Sequence, residues 1–125
     1  MPLPLHAVII SWEGFGKKAQ AIAQALEGAV ARITVIYSNA SGTPESGPGK
    51  WVRLPQSRYF GAKFCASLDL VDDSEIMLQI QADAESDDWP ALVAGCQQCF
   101  DQHGSLGVNF HAEVTRFFHR ELTHL

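Results

Sequence analysis

The chain lacks a basic run. Among its 125 residues, 9 Lys+Arg stand against 14 Asp+Glu, a net charge of −5. Nothing in it is suited to neutralise a row of phosphates, which argues against a nucleic-acid backbone as partner. Long apolar stretches are missing too: the longest, Ala7–Ile10, is far too short to cross a bilayer. The opening MPLPLHAVIIS has neither the basic start nor the extended apolar segment of a secretory signal. There are only three cysteines, Cys65, Cys96 and Cys99. That small, odd number fits reduced thiols in a cytoplasmic protein better than a disulfide framework. Internal repeats and low-complexity tracts are absent. Hydrophobic residues make up 46% and charged ones 18%, a globular mixture and not a disordered one. The length is that of a single domain, 1–125, able to bury about two-thirds of its unfolded surface.

What is present alternates between strand and helix patterns. His6–Ser11 (HAVIIS) is an unbroken, largely β-branched run, as in a strand covered on both faces. After the turn Trp12–Gly16, the residues Lys17–Leu26 are strong helix formers. They place Ala19, Ile22, Ala23 and Leu26 on one face, and Gly28 stops the helix. Arg32–Tyr37 (RITVIY) is a second apolar strand. Ser38–Lys50, rich in Gly, Pro and Ser, reads as a mobile surface loop with nothing to pack. A short strand at Trp51–Leu54 ends at Pro55. A helix over about Tyr59–Val71 puts Phe60, Phe64, Leu68 and Val71 on one face. Glu75–Ile80 reads as a further buried strand, followed by the acidic loop Gln81–Asp87. Asp88 caps a helix with Pro90 in its first turn and Trp89, Leu92, Val93, Cys96 and Phe100 along it. A short strand at Leu106–Phe110 and an amphipathic helix at Glu113–Leu125 complete the pattern. The expectation is an α/β, Rossmann-like three-layer sandwich with a mainly parallel sheet. Its first four strands should stand in the order 3-2-1-4.

Open parallel sheets bind ligands beyond the carboxyl ends of their strands, which selects the loops Trp12–Gly16, Ser38–Pro48 and Ala82–Asp88. The first has Gly14, Gly16 and Lys17 ahead of a helix, yet it is not a P-loop. Ser11 stands where the first glycine should be, and Lys18 where Ser or Thr should be. Helix-start amides can hold an anion, but the plainer reading is a tight strand-to-helix turn. In the third loop Asp83 and Glu85 stand two residues apart, a spacing that lets both carboxylates reach one side. Such paired hard oxygens suit Mg²⁺ or Mn²⁺, with substrate phosphates completing the shell. Asp87 and Asp88 read as helix-start acids. Cys96 and Cys99 form C-Q-Q-C inside a helix, without the helix-start position that activates a thiol. Neither His103 and His111 as zinc partners nor a deaminase order fits the spacing, so structural thiols are the reading. His6 opens a core strand and reads as structurally satisfied. His119 and His124, with Arg116 and Arg120, read as a solvated face.

The order of elements, with Arg53-Leu54-Pro55, then Gly61, Ala62 and Leu68, then Asp83-Ala84-Glu85 and Asp88-Trp89-Leu92, resembles a known family. It is similar to the N-terminal, nucleotide-binding part of family 2-type glycosyltransferases of the GT-A fold. There a segment R-L-P-x-N-x-G-x-G-A-A-R-N-x-G-L precedes a strand ending in D-x-D. Phe64 and Cys65 replace the family's Arg-Asn pair, Glu85 its second Asp, and Asn39 stands near the position of its base-binding aspartate. The resemblance implies a nucleotide-diphosphate sugar as partner and a divalent Mg or Mn as cofactor. It makes Trp12, Glu13, Asn39 and Asp83 nucleotide-binding candidates, and Asp83 and Glu85 metal ligands. It further implies sugar transfer to an acceptor hydroxyl in the complete enzyme, whose acceptor half and catalytic carboxylate have no counterpart in these residues. The chain then reads as a fragment of such an enzyme or a reduced homologue. A fragment would expose apolar surface, with Phe110, Phe117 and Phe118 as candidate homodimer contacts. The alternatives are a non-catalytic interaction domain and a small phosphate-binding protein using the Gly14–Lys17 turn.

Overall fold

A computed structural model describes residues 4–103. The strands are β1 (Leu5–Ile10), β2 (Arg32–Tyr37), β3 (Lys50–Arg53) and β4 (Ile76–Gln81). The helices are α1 (Gly16–Leu26), α2 (Phe60–Leu70) and α3 (Trp89–His103). All strand pairings are parallel, in the order β3-β2-β1-β4, with Ile9 opposite Val35 on one side and Ile80 on the other. The expected order and the central place of β1 are both found. This architecture is consistent with a Rossmann-like sandwich. The strand expected at Leu106–Phe110, the helix at Glu113–Leu125 and the contact candidates Phe110, Phe117 and Phe118 lie outside the described residues. No helix among the described residues is long and apolar enough to cross a membrane.

One sheet face carries Leu5, Ala7 and Ile9 of β1, Val35 of β2 and Ile80 of β4. Against it pack Ala19, Ile22, Ala23 and Leu26 of α1 and Trp89 and Val93 of α3. This is the core that the helical spacing indicated. Gly28, at φ +79, ends α1 in a conformation that costs a side chain strain. Asp88 caps α3, its Oδ1 accepting from the Ala91 amide at 3.1 Å.

The opposite face is covered by α2, and here the apolar stripe is not the buried one. The buried residues of α2 are Lys63 and Ser67, whereas Phe60 is exposed and Leu68 is 53% exposed. Phe60 and Phe64 stack on each other along the outer side, centroids 6.1 Å apart. The inversion is possible because both buried side chains are hydrogen-bonded, Ser67 to Phe64 O of its own helix and Lys63 beyond the strand ends. The Ser67 hydroxyl lies 3.6 Å from Met77 Sδ of β4, and Lys63 reaches the ends of β1 and β2. Buried polar groups are tolerated where they find hydrogen bonds.

The loop 38–49 is irregular, as expected, but it is fastened. Its Glu45 amide donates to Tyr37 Oη at 2.9 Å, Gln20 donates to Ser46 O at 3.1 Å, and the Trp51 indole donates to Pro48 O at 3.1 Å. Flanking side chains supply the packing that the loop's own composition lacks.

At the amino ends of the strands, His6 is buried with Nε2 2.7 Å from Thr34 Oγ1 and Nδ1 3.2 Å from Glu75 Oε1. Arg32 Nε stands 3.0 Å from Glu75 Oε2. Burial lowers the His6 pKa below 6.5 despite the Glu75 carboxylate, and Arg32 pushes in the same direction as burial. Burial alone would raise Glu75, but the Asp72 amide, His6 and Arg32 together bring it below its ordinary value of 4.5. Both shifts have one consequence. An unfolded His6 takes up its proton near pH 6.5 while the folded one resists, so stability falls as pH drops below that value. The Glu75 contribution is lost further down, below 4.5. Urea denaturation near pH 7.5 and pH 5.5 should show a lower midpoint at the acid value, and His6→Gln should flatten that difference. A midpoint independent of pH over this range would count against the shift.

Candidate functional site

A cleft of about 460 Å³ opens beyond the carboxyl ends of the sheet. Ile10 of β1, Ser38 after β2 and Gln81 of β4 form its base. Trp12 and Glu13 flank one side, and the segment before α2 supplies Gln56, Arg58, Tyr59 and Phe60. Strand ends converge there because α1 departs to one face of the sheet and α2 arrives on the other, leaving the space between them uncovered. Tyr59, 80% exposed, and Phe60 give the opening an aromatic lip.

Lys63 lines the cleft from the first turn of α2 and is only 3% exposed. Its Nζ donates to Ser11 O at 2.8 Å and to Ser38 Oγ at 2.7 Å, tying α2 to the ends of β1 and β2. Burial lowers its pKa below 10.5. No described carboxylate stands within ion-pairing distance of it.

The sequence-derived candidates separate into two groups. Trp12 and Glu13 line the cleft, Trp12 against the Phe15 ring at 4.5 Å and Glu13 Oε2 accepting from the Ala40 amide at 3.1 Å. Asn39 is not among the lining residues: its Nδ2 donates to Thr43 O at 2.7 Å and Glu45 Oε2 at 2.8 Å. Asp83 and Glu85 are exposed on the loop after β4, outside the lining, two and four residues beyond the lining residue Gln81. Ser38 opens a loop that the strand-end rule selected, whereas sequence reasoning missed Lys63, Gln56, Arg58, Tyr59, Phe60 and Gln81. Lys63 had a signal, a single cation within a helix otherwise rich in apolar residues.

Compared with family models, curated proteins and solved structures, the chain matches none. Function must therefore be read from the chemistry of the site.

Two other features are settled by their surroundings. Glu45 Oε1 stands so near Gly16 that a Cβ there would collide with it. The Glu45 carboxylate thus stands against the first residue of α1. Cys96 is buried, and burial, with Cys99 adding to it, pushes its thiol up to about 11. It stays protonated at neutral pH, the state of a packing residue and not of a nucleophile. The described residues contain no group of three His, Cys, Asp or Glu placed to hold a metal ion. Asp83 and Glu85 contribute two exposed carboxylates, and magnesium takes only one or two when phosphates complete its shell.

Proposed function

We propose that the chain is a glycosyltransferase-like, nucleotide-diphosphate-sugar-binding domain, with the nucleotide in the cleft beyond β1, β2 and β4. The observation that carries this reading is the cleft itself. It stands at the carboxyl ends of a parallel sheet ordered 3-2-1-4, with an aromatic lip and a buried cation in its wall. Trp12, Tyr59 and Phe60 offer faces on which a base can stack, and Arg58 and Lys63 offer countercharge to phosphates. Asn39, in the loop just after β2, would act on the base only indirectly, since its amide is engaged by Thr43 O and Glu45 Oε2. Asp83 and Glu85 would hold Mg²⁺ or Mn²⁺ against the diphosphate, and the metal when bound would neutralise charge on the leaving group.

The test is calorimetry with UDP and GDP in the presence of Mn²⁺. One of the two nucleotides should bind, and Asp83→Ala should weaken that binding at least tenfold by removing the metal's share, about 1.4 kcal/mol or more. Cys96→Ala should leave it unchanged. Heat from neither nucleotide, with or without metal, would move the preference to a non-catalytic interaction domain.

A further inference from the structure

We infer that Lys63 is itself a phosphate-binding residue of the cleft, able to hold a nucleoside diphosphate without any divalent metal. The inference rests on the nucleotide reading above and deepens it, because it makes Lys63 sufficient to hold the phosphates where the resemblance implies a divalent metal. An ammonium has three N–H donors. Two of them are used on Ser11 O and Ser38 Oγ, and the side chain lines the cleft. A buried charge is ordinarily paired with an opposite one, because desolvation without compensation is costly. Lys63 has two neutral acceptors and no described carboxylate at ion-pairing distance.

A purely structural tether between α2 and the strand ends would work as well with a neutral donor. The charge therefore asks for an anion, and the cleft is where one can arrive. The lining has two cations, Lys63 and Arg58, against one carboxylate, Glu13. Glu13 is moreover turned to the Ala40 amide. A phosphate oxygen seated against Nζ would complete its hydrogen bonding with a charge-assisted bond in a partly desolvated site. Arg58, exposed at the opening, would meet the same group from outside. Pairing of this kind favours the protonated amine, so ligand binding and a full positive charge on Lys63 support each other.

The experiment is calorimetry in EDTA with UDP, GDP, pyrophosphate and uridine, on the wild-type chain, Lys63→Met and Asp83→Ala. The expected result is binding of a diphosphate without metal and none of uridine. Lys63→Met should lose at least tenfold in that affinity, while Asp83→Ala keeps it and loses only the tightening that Mn²⁺ adds. Because Lys63→Met also removes two hydrogen bonds, a second measurement uses the wild-type chain. The Lys63 ε-carbon resonance should shift when pyrophosphate is added in EDTA. Unchanged affinity in Lys63→Met, or an unmoved Lys63 resonance at saturation, would overturn the inference. Binding that needs Mn²⁺ and disappears in Asp83→Ala would overturn it too and leave the nucleotide reading standing. Absence of binding under every condition would remove both.

Discussion

Replacing Gly49 by alanine should destabilise the domain by about 3–4 kcal/mol, the sum of left-handed strain and overpacking. Gly49 has φ +87, a conformation that L side chains rarely adopt. It also faces β2 at close range: a Cβ would lie 2.5 Å from Ile33 O and 2.8 Å from Ile33 Cβ. The first of these neighbours is backbone, held in the β1–β2 ladder where Ile33 pairs with Ala7. It cannot move aside without disturbing that pairing. Gly49 immediately precedes Lys50, where β3 joins β2, so the damage falls on sheet closure itself. For a domain of this size such a loss lowers the melting temperature by roughly 10 °C or more. Gly14 is the internal control, with φ +85 but no atom within 4 Å of an added Cβ. Gly14→Ala should cost only the strain, about 1 kcal/mol. Equal melting temperatures for the two variants would show that the contact at Ile33 is not as close as described.

The second large effect tests the inverted helix. Ser67 is fully buried, its hydroxyl donating to Phe64 O at 2.5 Å, while Leu68 beside it is 53% exposed. Ser67→Leu should therefore destabilise by about 2–3 kcal/mol, since extra methylenes enter a packed layer and displace a hydrogen-bonded hydroxyl. Leu68→Ser should stay within about 0.5 kcal/mol, as surface substitutions do. The apolar pattern of α2 read alone predicts the reverse ranking. Denaturant midpoints of the two variants separate these outcomes. A destabilised Leu68→Ser beside a neutral Ser67→Leu would mean that α2 packs with its aromatic stripe inward.

Much of the sheet was legible in the sequence, for a definite physical reason. β1 and β2 are covered on both faces, so their residues form apolar runs that announce strands without any knowledge of partners. Helix α1 packs an apolar stripe on an apolar face, and the 3.6-residue period marks it directly. Chain order and alternation then sufficed for the sheet order. The orientation of α2 was not legible, because periodicity reports that a stripe exists and not which stripe is buried. Lys63 goes inward where the Ser11 carbonyl and the Ser38 hydroxyl accept from it, residues 52 and 25 positions away along the chain, while Ser67 satisfies its hydroxyl on Phe64 O of its own helix.

The site divides along the same line. Trp12 and Glu13 follow directly from β1, and the rule that ligands bind beyond strand ends reaches them from sequence alone. The buried ammonium and the cleft with its aromatic lip exist only once distant segments meet. What the sequence by itself determined is the layering: which segments are strands, which are helices, and how the strands are ordered in the sheet. Only the tertiary structure decided which charges the cleft contains. Burial and compensation of charge are set by neighbours in space, and neighbours in sequence do not encode them.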